Sequence, residues 1–376
     1  VTTERSGYAG LAVDGLRYLG EVLELGRGFD AAAEESVCTL FEGWGHRVSR
    51  DVDGGGTRQE AVSTAPFEYS LVLREDRVDV RLFFRPLPER GPATADGSWE
   101  RGGRTLAELE RRGVARLERA REVADLFRPR SERAAFGMCL AASVRASGIA
   151  RPKVYFDTLA AGTEQSRETV GTALVRLGQG GAWSWLRRHD PQGMAHLMPA
   201  FFALDVDESP HARIKFYTTV AERSTAELEA RLAPLGRGAA AAAAGLVADA
   251  APQGGAALDT PGVRPTLCWS MTSRGGKRPD DATLYLPFSL YAPQQQETHS
   301  RLRSRLDPVL LARVGRLVGD HAAAVDGPAN PFHWAAAKLL HGGGALTLYT
   351  SAAAVEAART ARTPARPRPD TLPVAT

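Results

Sequence analysis

Two hydrophobic periods alternate along the chain. Over residues about 8–45, Leu11, Leu16, Leu19, Val22 and Leu23, then Val37, Leu40 and Phe41, recur at helical spacing, and Gly26 and Gly28 divide the stretch into two helices. A glycine-rich turn at residues 53–57 follows. The pattern then becomes β-rich over Ala65 to Leu73 and Val78 to Phe84, joined by the polar stretch Arg74 to Arg77, which predicts a hairpin. Residues 86–103, rich in Pro and Gly, read as a loop. Leu106, Leu109, Val114, Leu117 and Val123 predict one long amphipathic helix from Arg104 to Phe127, and residues 134–147 read as a second helix.

Strands are predicted over Lys153 to Thr158, 198–206, Ala212 to Val220, Val263 to Thr272 and Thr283 to Tyr291. A last hairpin runs from Phe332 to Leu340 and back over Ala345 to Ser351, turning at Gly342, Gly343 and Gly344. Helices fall at 164–178, from the capping box Ser224 to Glu227 on to about Leu235, along the alanine run 239–244, and from Asp307-Pro308 to Val318. Roughly ten strands in antiparallel neighbours, with helices between the pairs, leave no strict βαβ alternation and no glycine-rich dinucleotide loop. The expected fold class is α/β, a ten-stranded antiparallel barrel with surrounding helices and a lumen wide enough for ligands. One barrel domain over residues 1–360 and a disordered proline- and arginine-bearing tail over 361–376 complete the organisation.

Composition narrows the function. With 376 residues and 43% hydrophobic content the chain can bury a large core, yet no run approaches the ~20 apolar residues of a membrane span. The polar opening, with Glu4 and Arg5, does not read as a leader. Cys38, Cys139 and Cys268 are far apart and read as reduced thiols in a cytoplasmic protein. A net charge of only +3, dispersed along the chain, argues against nucleic acid as a partner. The expected partners are small molecules, with neither nucleic acid nor membrane, and the chain is expected to work as a monomer or homodimer. Lysine is rare: Lys153, Lys215, Lys277 and Lys338 are the only four, against 47 basic residues.

Two of those lysines sit in a recurring strand motif. Lys153-Val-Tyr155, Arg213-Ile-Lys215-Phe-Tyr217, Thr283-Leu-Tyr285 and Thr347-Leu-Tyr349 each place a polar residue and a tyrosine two apart, hence on one face. Val154, Ile214, Phe216, Leu284 and Leu348 take the other face, toward helices. A cationic, tyrosine-rich lumen suits an anionic ligand. Arg213, Lys215 and Lys153 offer three positive charges on neighbouring strands, matched to a diphosphate. The sequence has no DDxxD-type cluster for magnesium, since Asp280-Asp281 is read as part of a loop. Tyr155, Tyr217, Tyr285 and Tyr349 would then face the cation left when an allylic diphosphate ionises.

At these residues the chain resembles the dimethylallyltryptophan synthase family of indole prenyltransferases. The resemblance extends to the hairpin Pro66-Phe67-Glu68-Tyr69-Ser70 with Val80-Arg81-Leu82, and to Leu284-Tyr285-Leu286-Pro287, in order over about residues 60–350. It implies repeated α-β-β-α units closing a ten-stranded barrel, and transfer of a dimethylallyl group to an indole with no required cofactor or metal, dimethylallyl diphosphate being a co-substrate. It implies that Glu68 accepts a hydrogen bond from the indole N–H, that Arg81, Lys153, Arg213 and Lys215 hold the diphosphate, and that Tyr155, Tyr217, Tyr285 and Tyr349 form a tyrosine shield. On the residues alone, Glu68 and Arg81 would be taken as solvent-facing. Members that prenylate the indole 4-position carry a lysine upstream of the Lys-x-Tyr strand, and residues 104–152 contain none. The expectation is therefore a tryptophan dimethylallyltransferase acting at C6 ahead of C5, C7 or N1. Tyrosine, a cyclic dipeptide or a larger indole alkaloid are alternative acceptors. A non-catalytic barrel that binds an anionic metabolite is the reading from another class, and a structural scaffold with replaceable lysines a third. Trp269 and Trp334 are candidate pocket walls, with core packing as their default.

Overall fold

A computed structural model describes residues 7–25, 31–42, 67–75, 77–87, 93–145, 148–189, 198–207, 209–251, 258, 264–272, 276–327, 330–340 and 345–362. Ten strands close into one antiparallel barrel: β1 (Phe67–Leu73), β2 (Val78–Phe84), β3 (Met138–Arg145), β4 (Gly148–Asp157), β5 (Met198–Asp205), β6 (Arg213–Thr219), β7 (Thr266–Thr272), β8 (Asp281–Leu286), β9 (Phe332–Lys338) and β10 (Leu346–Ser351). Each strand pairs with its sequence neighbours, and β10 pairs with β1 to seal the ring. Closure removes every sheet edge. Around the barrel lie α1 (Tyr8–Val22), α2 (Ala31–Leu40), α3 (Ala95–Arg111), α4 (Glu118–Ala124), α5 (Ser166–Arg176), α6 (Gly180–His189), α7 (Thr225–Leu232), α8 (Arg237–Ala250), α9 (Phe288–Tyr291), α10 (Gln295–Arg303), α11 (Pro308–Ala324) and α12 (Ala352–Arg362). The helices join strands at one end of the barrel, while short hairpin connections lie at the other.

The main core is the shell between sheet and helices. Leu71, Leu82, Val154, Phe156, Phe202, Ile214, Phe216, Leu267, Leu284 and Leu348 all point outward into it and are fully buried. At its centre Phe127, in a short 3-10 turn after α4, stacks between Phe156 and Phe202 with both ring centroids 5.1 Å away. Close packing shows again at Gly15 of α1, where a Cβ would stand 2.1 Å from the Tyr69 hydroxyl. That hydroxyl donates to the Ala12 carbonyl at 3.2 Å.

The barrel and the first and last hairpins follow the sequence reading, but several elements do not. Within residues 134–147, expected to be helical, Met138–Arg145 form β3. Leu140, Ala142 and Val144 face the outer core while Cys139, Ala141 and Ser143 face inward, and small or apolar residues on both faces hide a period of two. The 86–103 loop gives way to α3, because Thr94 caps the helix through its hydroxyl to the Gly97 N–H at 3.0 Å. The single helix expected from Arg104 to Phe127 is broken after Arg111 by Gly113, whose φ of +73° ends α3. The strand expected to run to Tyr291 stops at Leu286, since Pro287 cannot continue the ladder and α9 follows. Helix α12 runs to Arg362, two residues into the expected tail. The rest of the tail, Gly26 and Gly28, the 53–57 turn, Ala65 and Pro66, Val263, and Gly342 to Gly344 lie outside the described residues.

Removing the central ring tests this packing. The substitution Phe127→Ala should lower stability by roughly 3–5 kcal/mol, read as a fall in the thermal unfolding midpoint.

Candidate active site

The two-residue period delivers the motif residues to the lumen. Glu68, Arg81, Lys153, Lys215, Tyr155, Tyr217, Tyr285 and Tyr349 all line one cavity, with about 960 Å³ of empty space including its open mouth. Ser70, Phe83, Ala141, Ser143, Arg151, Phe201, Thr266 and Trp334 complete the wall. A pocket of this size suits small-molecule ligands.

The tyrosines form an arc on alternate strands. Ring centroids stand 6.1 Å apart for Tyr155 and Tyr217, 5.8 Å for Tyr217 and Tyr285, and 5.7 Å for Tyr285 and Tyr349. Phe83 of β2 extends the arc, 5.1 Å from Tyr155. The strands between supply small residues: Ala141 faces Phe83, Ala203 faces Tyr155, Cys268 faces Tyr217, and Ala336 faces Tyr285. Two large residues on odd strands join the rings: Phe201 of β5 stands 5.9 Å from Tyr217, and Trp334 of β9 pairs with Tyr349. Burial holds the phenols of Tyr155, Tyr217 and Tyr285 above their ordinary range and that of Tyr349 up to about 12. All four keep their protons at neutral pH and stay neutral donors.

Along β4 and β6 the cations precede the tyrosines and so lie nearer the hairpin end. Lys153 and Lys215 are 5% and 8% exposed, so both ammonium groups sit in the dry interior. Burial pulls Lys215 down to about 8 and Lys153 well below the usual lysine range, and the neighbouring cations push the same way. The strands that carry them are not adjacent, as the sequence suggested. Strand β5 lies between β4 and β6 and ends on Asp205, which the sequence reading did not select. Its carboxylate lies 3.5 Å from Lys153 Nζ and accepts from Arg213 Nε at 2.8 Å. Despite burial, which alone would raise it, Lys153 and Arg213 bring Asp205 down to about 2. Arg213 also donates its backbone N–H to Asp205 and does not reach the cavity wall. Arg119 of α4 feels the same carboxylate, and both its terminal nitrogens are buried without a hydrogen-bond partner among the described residues.

Glu68 lies toward the helix end of the same lumen. On β1 it pairs with Phe83 and Ser351, one step beyond the Ser70–Tyr349 pair. It is 9% exposed, so the solvent-facing default for a strand glutamate does not hold. Its Oε2 lies 2.7 Å from His333 Nε2, a partner absent from the sequence reading. Arg81 also faces inward, diagonal to Glu68 across the β1–β2 pair. Trp334 is a cavity wall, whereas Trp269 packs outward at 6.4 Å from Trp185. Asp281, expected in a loop, opens β8 and pairs with Lys338 at 3.0 Å. Among the described residues, no group of three or more His, Cys, Asp or Glu could hold a metal ion, and no helix is long and apolar enough to cross a membrane.

The arrangement can do two things chemically. Buried cations in a low-dielectric site attract a polyanion strongly, and aromatic faces next to them stabilise positive charge on a bound group. Asp205 neutralises part of the cationic cluster. The variant Asp205→Asn would leave buried positive charge uncompensated and should destabilise the protein by roughly 3 kcal/mol or more. Added inorganic diphosphate should then raise its thermal midpoint by more than it raises that of the wild type.

No protein-family model and no curated protein matches the chain. Solved structures do. The 5-dimethylallyl tryptophan synthase from Streptomyces coelicolor, in complex with DMASPP and Trp, is 25% identical, with a TM-score of 0.73 over 98% of this chain and 99% of that one. The 6-dimethylallyltryptophan synthase from Micromonospora olivasterospora, also with DMASPP and Trp, is 22% identical, with a TM-score of 0.67 over 93% and 98%. The prenyltransferase PriB with product diphosphate is 24% identical, with a TM-score of 0.71 over 93% and 97%. The protein thus shares the architecture of the dimethylallyl tryptophan synthases over nearly its whole length.

Proposed function

We propose that the protein is an aromatic prenyltransferase that moves a dimethylallyl group from dimethylallyl diphosphate to the indole ring of L-tryptophan. The observation that carries this reading is the stacking of three functions in one lumen: buried cations, then an arc of tyrosines, then a carboxylate. Similarity to dimethylallyl tryptophan synthases in complex with DMASPP and Trp supports it.

The residues divide the reaction between them. Lys153, Lys215 and Arg81 take the diphosphate, joined by Arg213 as the ligand competes with Asp205 for its guanidinium. As the C1–O bond of the substrate breaks, the electron pair leaves with the diphosphate, and these cations take up its charge. The allylic cation lies against Tyr155, Tyr217, Tyr285 and Tyr349, whose faces favour positive charge and whose crowding keeps water off it. Glu68 accepts a hydrogen bond from the indole N–H, enriching the ring as it attacks. A carbon–carbon bond then forms, and the ring proton passes to the released diphosphate, which restores aromaticity. Side chains carry the leaving group, so no divalent metal is required. Our preferred position is C6, with C5, C7 and N1 as alternatives. The lack of lysine in residues 104–152 speaks against C4.

Dimethylallyl diphosphate and L-tryptophan, incubated with the protein in EDTA, should give a product heavier by one C5H8 unit, with NMR fixing the ring position. Silence with tryptophan, other indoles and tyrosine would leave an anion-binding barrel as the better reading. Glu68→Gln separates the two classes: diphosphate binding persists in both, and turnover falls by about tenfold or more only in the enzyme.

The lysines also fix a pH dependence. In the free protein burial brings Lys215 to about 8, and a bound diphosphate raises it again. Affinity for inorganic diphosphate should therefore decrease as pH rises through about 8. In the unliganded protein the sign is opposite. The unfolded chain binds more protons than the folded one between the depressed and ordinary lysine values, so that interval favours folding progressively as pH rises. Lys215→Arg, charged throughout, should flatten the affinity profile in calorimetry.

A further inference from the structure

Strand β9 loses step at its start. Tyr349 pairs with Trp334, but the next residue of β10, Thr350, pairs with Phe332, so His333 is skipped by the ladder. A bulge of this kind adds one residue and redirects its side chain. The outward set records the same event: Phe332 and Ala335 are buried in the outer core, three residues apart where a regular strand would give two. His333 and Trp334 both end on the lumen side. Trp334 lines the cavity, and His333 reaches past β10 to Glu68, Nε2 to Oε2 at 2.7 Å. The side chains of His333 and Glu68 are 21% and 12% exposed. A carboxylate oxygen only accepts, so facing it Nε2 donates.

Glu68 has a competing partner. Arg81 is its diagonal neighbour across the β1–β2 pair, within reach of long side chains. Yet Arg81 makes no ion pair among the described residues, and the Glu68 carboxylate turns to His333. A glutamate has three torsions to settle, and an error of about 1 Å in a reacting geometry can cost on the order of a hundredfold in rate.

We propose that His333 is the positioning residue for Glu68. It holds Oε2, keeps the carboxylate away from Arg81, and presents Oε1 at a fixed angle to the acceptor N–H. The acceptor ring is thereby seated in one orientation against the tyrosine arc, which makes His333 a determinant of ring position. This rests on the prenyl transfer proposed above.

The test compares wild type, His333→Leu, His333→Gln, His333→Asn and Glu68→Gln/His333→Leu with tryptophan and dimethylallyl diphosphate, measuring rates and product regiochemistry. His333→Leu should lower kcat/KM for tryptophan by about tenfold and give a mixture of ring positions. Gln places an amide N–H where Nε2 stood and should recover most of the rate and the single product. Asn places it where Nδ1 stood and should not. In the Glu68→Gln background, His333→Leu should have no further effect. Wild-type rate and a single product from His333→Leu, or equal losses from that substitution in both backgrounds, would overturn the positioning role while leaving prenyl transfer intact. Should His333→Leu not fold, equal rates from the Gln and Asn variants would overturn it. A wild type silent toward every aromatic acceptor would overturn both.

Discussion

The structure depends on one constraint: in a closed barrel every strand has two faces, and here the outer one carries the main core, with only a small cluster around Ala203, Tyr217 and Cys268 packed inside. The apolar residues of each strand meet the helices, which leaves the inner face free to carry groups that a normal core excludes. Lys153 and Lys215 can be buried there because Asp205 lies among them and because the lumen is built for an anion. Without a ligand the cluster is held at some cost to stability, since burial opposes both ammonium charges. In the function proposed above, an arriving diphosphate would offset that desolvation cost.

The same alternation shapes the reaction chamber. Aromatic rings on β2, β4, β6, β8 and β10 form the arc, and the strands between add small residues at Ala141, Ala203, Cys268 and Ala336 and large ones at Phe201 and Trp334. Residue order along the strands then separates the chemistry by height. On β6 the sequence Arg213, Lys215, Tyr217 steps from the hairpin end inward, while Glu68 enters from the opposite end of β1. In the function proposed above, leaving group, cation and acceptor would each fall to a different set of these side chains.

What was legible in the sequence follows from contrast between the two faces. Lys153-x-Tyr155 and Arg213-x-Lys215-x-Tyr217 stood out because polar and apolar residues alternate strictly. Strand β3 was missed because its inward residues, Cys139, Ala141 and Ser143, are as small or apolar as its outward ones. Glu68 and Arg81 were legible only through family resemblance, since nothing local separates an inward charge from an outward one. Asp205 fell within the predicted strand 198–206, but a lone acid near the end of an otherwise apolar strand does not show which face it takes. Arg213 was correctly phased, but its charge is engaged by that unforeseen acid. His333 depends on a one-residue bulge, and the only trace in the sequence is the three-residue step between Phe332 and Ala335.

The most direct test is a crystal structure of the protein with tryptophan and a thiolo analogue of dimethylallyl diphosphate that cannot ionise. The diphosphate should lie among Arg81, Lys153 and Lys215, with the prenyl chain against the tyrosine arc and the indole N–H on Glu68. A diphosphate bound outside the lumen, or an acceptor that makes no contact with Glu68, would contradict the account.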